Sequence, residues 1–355
     1  MSHQLDHSKG KTAFIAYQAP GWHGLGKVKK SGIITVEEAL QDGGLDFHVD
    51  KLPNIHRFNT AAGIQQEIIS KNSFFTIRTD VNKVLGDRLG KDYTVYQNTE
   101  ALAIVDDLLK NGKMIIETAG ALDDGRKVFV CLKLADSIVV DGDDEVQQYV
   151  LLTNSHDGSM AITAMPTNVR VVCANTLSAA LAGAKGAHKI RHTKNAADRV
   201  KEAFTIMGML EDNSKKNEAA YNAMKHNGLS KEEFFDYIGN IFMTGEEIAG
   251  LQGNKEVLST RKQNVIGEVL QFANTGVGQA EALGDGLNMW YGYNAVTGYL
   301  TSKRYASADD RFESLFLGDS AKKIAMAGEL ALRPQNIRQL KGNASKIAGM
   351  NQNFN

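Results

Sequence analysis

The sequence predicts an α+β protein: an antiparallel β-meander with packed helices, followed by a mainly helical C-terminal portion. Three observations carry this. Between 114 and 173 the apolar residues recur with a period of two, and the links between runs are too short for parallel crossovers. Turn signals, Asp123-Asp124-Gly125 and His156-Asp157-Gly158, separate the alternating runs. After about 195 the pattern is helical almost throughout. A chain of 355 residues is long enough for roughly two domains. The expected boundaries are an irregular lead-in over 1–30, an α+β domain over 31–193 and a mainly helical portion over 194–355.

In order, Thr35 and Glu38 form a capping box ahead of Val36-Glu37-Glu38-Ala39-Leu40, and Gly43-Gly44 stops that helix. Leu45, Phe47 and Val49 alternate as a strand, Ser73 to Arg78 reads as another, and Tyr93-Thr94-Val95-Tyr96 as a short one. Asn98 caps a helix whose stripe is Leu102, Val105 and Leu109, ended by Asn111-Gly112. The meander follows: Met114–Leu122, Lys127–Leu134, Ser137–Val140, Gln147–Asn154, Ser159–Met165 and Val169–Cys173. Asn175 caps a short helix to Leu181. Helices are then expected around Val200–Met207, Lys231–Phe242, Val257–Phe272, Met289–Tyr305 and Ala321–Met350, the last broken at Pro334.

Composition narrows the function classes. With 43% hydrophobic and 23% charged residues the chain can build a real core. Two cysteines cannot staple it, so a reducing cytoplasm is expected rather than a secreted disulfide scaffold. No apolar run nears the ~18 residues of a membrane span, and Met1 to Lys11 lacks the apolar core of a secretory signal. The net charge of −1 gives no global attraction to nucleic acid or membrane.

Candidate chemistry is sparse. Gly21-Trp22-His23-Gly24-Leu25-Gly26-Lys27 approaches a phosphate-binding loop, but Val28 stands where Ser or Thr should hold magnesium, and no helix signal follows. It is read as a Gly-rich loop. His188 and His192 lie four apart, Cys131 and Cys173 are isolated, and no ligand set for a metal emerges. In Asn154-Ser155-His156-Asp157-Gly158-Ser159, a general base His156 oriented by Asp157 is one reading. Neighbouring strand residues point to opposite faces, however, and Asp-Gly suits a tight turn. No catalytic, cofactor or metal residue is therefore assigned.

Charge is more informative locally. Lys185, Lys189, Arg191, Lys194, Arg199 and Lys201 face only Asp198 and Glu202 between 185 and 202. A second excess comprises Lys322, Lys323, Arg333, Arg338, Lys341 and Lys346 against Glu329. Such tracts are ordinarily solvated helix faces, but they also attract phosphate backbones through counterion release. Trp290 and Tyr291 open a helix beside them, where aromatic faces either stack on unpaired bases or pack on the core.

Several stretches resemble the phage/plasmid-like protein family, also known as domain of unknown function 932. They are Gly21-Trp22-His23-Gly24-Leu25-Gly26, Tyr93-Thr94-Val95-Tyr96-Gln97-Asn98, Glu117-Thr118-Ala119-Gly120 and Leu151 to Ser159. Arg170 to Leu177, Arg191-His192-Thr193, Tyr293-Asn294-Ala295-Val296-Thr297 and Glu313-Ser314-Leu315-Phe316 complete the set. Typical members have Pro where this chain has Gly21, and Pro within the stretch where it has Val95-Tyr96. The resemblance implies a phage, plasmid or integrated-element origin and no established chemistry. The layout is also similar to single-strand annealing proteins of the RecT and Red-beta type, which need no cofactor for annealing. The expected function is non-specific binding of single-stranded DNA in recombination or replication, extending to strand annealing. Lys185, Lys189, Arg191, Lys194 and Arg199 would hold phosphates, with Arg170 and His192 close by and Trp290 and Tyr291 stacking. A homo-oligomer fits this reading. The rival expectation is a non-enzymatic phage accessory, counter-defence or minor virion protein that acts through a phage or host protein partner. A third is a metal-assisted hydrolase using His156, Asp157 and His192.

Overall fold

The computed structural model describes residues 4–21, 24–110, 112–140, 144–167, 187–190, 196–253, 258–276, 279, 286–302 and 319–340. Within them the chain is α+β, with antiparallel sheets and a mainly helical C-terminal part. It divides into two compact units: residues 1–137 with 147–213, and residues 138–146 with 214–355.

The first unit begins with β1 (Phe14–Tyr17) and β2 (Lys27–Lys29), both inside the segment expected to be an irregular lead-in. They pair in parallel, with Ile15 opposite Lys27. Gly26, at φ +83°, makes this possible, since a Cβ there would lie 2.4 Å from the Phe14 carbonyl oxygen. The Gly-rich loop thus serves a close backbone approach. Lys27 opens a strand rather than a helix and pairs with Asp42 at 2.7 Å, so the phosphate-loop geometry is absent.

Helix α1 (Val36–Gln41) carries the predicted capping box of Thr35 and Glu38. Leu45 and Phe47 are buried but lie outside any strand. The chain extends only from Val49 into β3 (Val49–Asn59). β3 pairs antiparallel with β4 (Gln65–Arg78), which pairs with β5 (Lys83–Leu89), giving a separate three-stranded sheet. Tyr93 to Tyr96 is not a strand but an irregular approach to α2 (Asn98–Leu109). Asn98 is the first residue of that helix. Its cap is Gln97, whose backbone N–H is accepted by the Glu100 carboxylate at 2.7 Å. Leu102, Ile104, Val105 and Leu108 are buried, each worth about 1.5–3 kcal/mol relative to exposure.

The meander forms as expected from β6 (Met114–Leu122) through a tight turn into β7 (Lys127–Leu134). The next strand leaves it. β8 (Ile138–Val140) pairs with β9 (Asp144–Val146) as its own hairpin, which belongs to the second unit. β10 (Tyr149–Ser155) then pairs directly with β7, followed by β11 (Thr163–Thr167) and β12 (His188–Lys189). The sheet order is β12-β11-β10-β7-β6-β1-β2. Val128, Val130, Leu132, Val150 and Leu152 face one core, with α1 and α2, while Phe129, Cys131 and Leu151 face another. Burial on both faces accounts for the unbroken apolar runs of β7 and β10. The predicted strand Val169–Cys173 and helix Asn175–Leu181 lie outside the described residues.

Helix α3 (Ala196–His226) starts in the first unit and ends in the second. The second unit continues with α4 (Lys231–Phe242), at the predicted bounds and capped by Ser230 and Glu233, and then α5 (Gly245–Gln252). α6 (Thr260–Thr275), α7 (Met289–Ser302) and α8 (Asp319–Leu332) follow. Pro334 opens a short 3₁₀ turn after α8, so the predicted break is there. The core of this unit joins Phe234, Tyr237 and Ile238 to Val269, Leu270, Trp290 and Val296.

Candidate functional site

In the first unit, the segment before α2 and the β10–β11 turn are tied together by side-chain to backbone bonds. Tyr93 Oη donates to the Ser155 carbonyl at 3.1 Å, and Asn154 Nδ2 donates to the Tyr96 carbonyl at 2.9 Å. Gln97 bonds both the N–H and the carbonyl of Val49, at 3.1 and 2.8 Å. Ser155 Oγ closes the turn by accepting from Met160 N and donating to Met160 O, each at 2.9 Å.

His156 sits at the centre. It is fully buried, and its Nε2 lies 2.9 Å from Asn98 Oδ1. Asn98 Nδ2 donates to the Leu45 carbonyl at 3.1 Å, so the amide oxygen faces the ring and the imidazole proton resides on Nε2. Nδ1 has no hydrogen-bond partner among the described residues. Thr76 Oγ1 donates to the His156 carbonyl at 2.6 Å, and Phe47 stands edge-on 5.7 Å from the ring. Burial, reinforced by the Arg78 charge and opposed by Asp157, lowers the His156 pKa to about 4. The ring is therefore neutral at physiological pH and sealed from solvent. It cannot serve as a base for a bound substrate, which removes the metal-assisted hydrolase built on it. Asp157 spends its carboxylate on Ser159 N at 2.8 Å.

Beside it, Arg78 is only 1% exposed and lies 2.5 Å from Asp6 and 2.8 Å from Asp80, with its guanidinium 4.0 Å from the Phe47 ring centre. Burial pushes the Asp6 carboxyl upward, but the bonds from Ser8 and Arg78 outweigh it and hold the pKa below its ordinary value. This network is internal scaffolding for the turn.

The scaffold shapes a cleft of about 340 Å³, lined by Tyr93, Tyr96, Ser155, Met160, Ile162 and Ile190 among others. That volume lies within the range of small-ligand sites. Tyr93 is half-buried, and burial, followed by the Asp157 charge, pushes its hydroxyl pKa up to about 12. At the cleft margin Ile190 follows β12, whose Lys189 is exposed. The adjacent His188 Nε2 lies 2.7 Å from Glu202, joining β12 to α3.

The residues expected to bind DNA fare differently. Lys189 is exposed, on the last strand of the sheet that the described residues form. Arg199 lies in α3, and nothing of its side chain is described. Lys185, Arg191, His192, Lys194 and Arg170 lie outside the described residues. Trp290 and Tyr291 are core residues, 3% and 4% exposed, so neither ring is open to a base. Trp290 packs 4.8 Å from Tyr221, and Tyr291 Oη donates to the Ala273 carbonyl at 2.7 Å. In the second basic tract Lys323 pairs with Asp319, and Arg333 lies 3.9 Å from Glu329. No group of three or more metal-ligating side chains occurs among the described residues, and none of the described helices is long and apolar enough to cross a membrane.

The family model described as Domain of unknown function (DUF932) matches residues 87–335. The chain belongs to the DUF932 family. No curated protein and no solved structure matches it. All the cleft-lining residues, from Asp92 to Ile190, fall inside the DUF932 match, whereas β3 and β4 precede it. Sequence reasoning missed the Asn98–His156 bond and the cleft. The signal available was that Tyr93 to Asn98 and Leu151 to Ser159 both carry the family resemblance, and these two stretches meet here.

Proposed function

We propose that this DUF932 chain is a non-enzymatic protein of a mobile element that binds single-stranded DNA with little sequence preference. One observation carries the reading. The exposed Lys189 on β12, the last strand of the described sheet, is followed directly by Ile190, which lines the cleft. In this reading Lys185, Lys189, Arg191, Lys194 and Arg199 neutralise phosphates, and Arg170 and His192 supply further positive charge or hydrogen bonds. The stacking role passes from the buried Trp290 and Tyr291 to Tyr93, the half-buried ring that lines the cleft. The buried His156 keeps the turn in place and takes no part in contact.

The test is fluorescence anisotropy of a labelled oligothymidine against the full chain, at low and high salt, with a duplex as comparison. Binding to the single strand that weakens with salt, weakens in Lys189→Glu, and weakens in Tyr93→Ala supports the proposal. No binding of the single strand at low salt overturns it.

A further inference from the structure

Beyond the Pro53–Ile55 register shift, β3 and β4 continue as a two-stranded ribbon that β5 no longer borders. Ile55 pairs with Ile69 and Arg57 with Glu67, and the ribbon closes at a turn where Thr60 N donates to the Ile64 carbonyl at 2.9 Å. An isolated two-stranded ribbon is marginal in water, and its open edges invite pairing. Yet this one holds Ile55 at 50%, Ile64 at 61%, Ile68 at 56% and Ile69 at 60% exposure. Apolar side chains so placed on a protruding ribbon mark an interaction surface.

The charges on one face identify what it fits. Residues opposite each other in an antiparallel ladder share a face, so Ile55, Ile69, Arg57 and Glu67 lie together. Arg57 Nε lies 2.6 Å from Glu67, and across 54–70 these are the only charged residues other than His56. The patch therefore has no net attraction for a polyanion or an acidic membrane. It is complementary to itself. Turning a copy over about an axis along the ribbon brings Ile55 onto the partner's Ile69 and Arg57 onto the partner's Glu67, the reciprocal pairing of a two-fold interface. We infer that the β3–β4 ribbon is a self-association surface whose occupant is a second copy of this chain, packed face to face through Ile55, Ile69, Arg57 and Glu67. This inference does not depend on DNA binding.

Sedimentation velocity of the full chain over a concentration series tests it, with Arg57→Glu, Glu67→Arg and an equimolar mixture of the two. Each variant alone loses its internal ion pair and places like charges across the interface. Each should self-associate at least about tenfold more weakly than the parent chain. The mixture regains opposite charges only between chains, so restored association in the mixture supports the inference. Circular dichroism checks that each variant is folded, and Ile69→Asn provides a neutral variant with the same expected loss. A parent chain that stays monomeric, an association unchanged in all variants, or a mixture no stronger than its components overturns it.

Discussion

His156 Nε2 and Asn98 Oδ1 lie 2.9 Å apart in a fully buried setting, although 58 positions separate them in the chain. One bond fastens the β10–β11 turn to the first residue of α2. Because Asn98 also holds the Leu45 carbonyl, removing its side chain strands both a buried donor and a buried acceptor. Asn98→Ala should lower unfolding free energy by about 2–6 kcal/mol, at about 1–3 kcal/mol for each of the two buried groups left unsatisfied. Urea denaturation followed by circular dichroism measures this. A loss below 0.5 kcal/mol, the size of an ordinary surface change, would contradict the burial argument.

The same histidine sets a pH dependence. Its pKa is about 4 in the fold against 6.5 ordinarily, so between those values the unfolded chain binds the extra proton. Stability should therefore rise with pH from about 4 to 6.5, by roughly 3 kcal/mol in all. Below that window the depressed carboxyls of Asp6 and Asp80 add a further loss as they protonate. Denaturation midpoints across this range should slope upward in the parent and flatten between 4 and 6.5 in His156→Gln. An equal slope in both would place the titrating group elsewhere.

Arg78 and Asp6 form an ion pair at 1% and 2% side-chain exposure. Arg78→Met leaves the Asp6 carboxylate buried without its cation and should destabilise by about 3–5 kcal/mol. The pair Arg78→Met with Asp6→Leu should recover much of that loss, since no charge is then left stranded. Thermal unfolding of the single and double variants separates these outcomes. A double variant no better than the single would mean that Asp80 and Phe47 carry the site's stability.

Gly26→Ala should weaken the β1–β2 pairing, because the new methyl group meets the Phe14 carbonyl oxygen at 2.4 Å in a left-handed backbone. A loss above about 1 kcal/mol is expected. Hydrogen exchange should show it as faster exchange at Tyr17 and Lys29, not across the helical unit. Unchanged protection would show that the loop tolerates the Cβ.

Local signals were legible where they depend on neighbours in the chain. The Thr35–Glu38 box, the β6–β7 hairpin, the bounds of α4 and the break at Pro334 follow from caps, alternation and turn residues within a few positions. Tyr93 to Tyr96 misled because an apolar alternation that bonds through Tyr93 and the Tyr96 carbonyl to a distant turn looks the same as a strand. The hairpin β8–β9 misled because its own sequence says nothing about which core receives it.

The α+β class, the meander, the helical second half and the family were determined by the sequence, since each is written in short-range periodicity or in ordered motifs. Which side chains are sealed was decided only by the tertiary structure. Trp290 and Tyr291 were candidates for stacking as well as for the core until packing with α3, α4 and α6 buried them, and a base role for His156, already disfavoured by its placement beside Asp157, ended when Asn98 and Phe47 enclosed the ring. Burial depends on contacts among residues far apart in sequence, and the hydropathy of a single segment cannot specify what will lie on top of it.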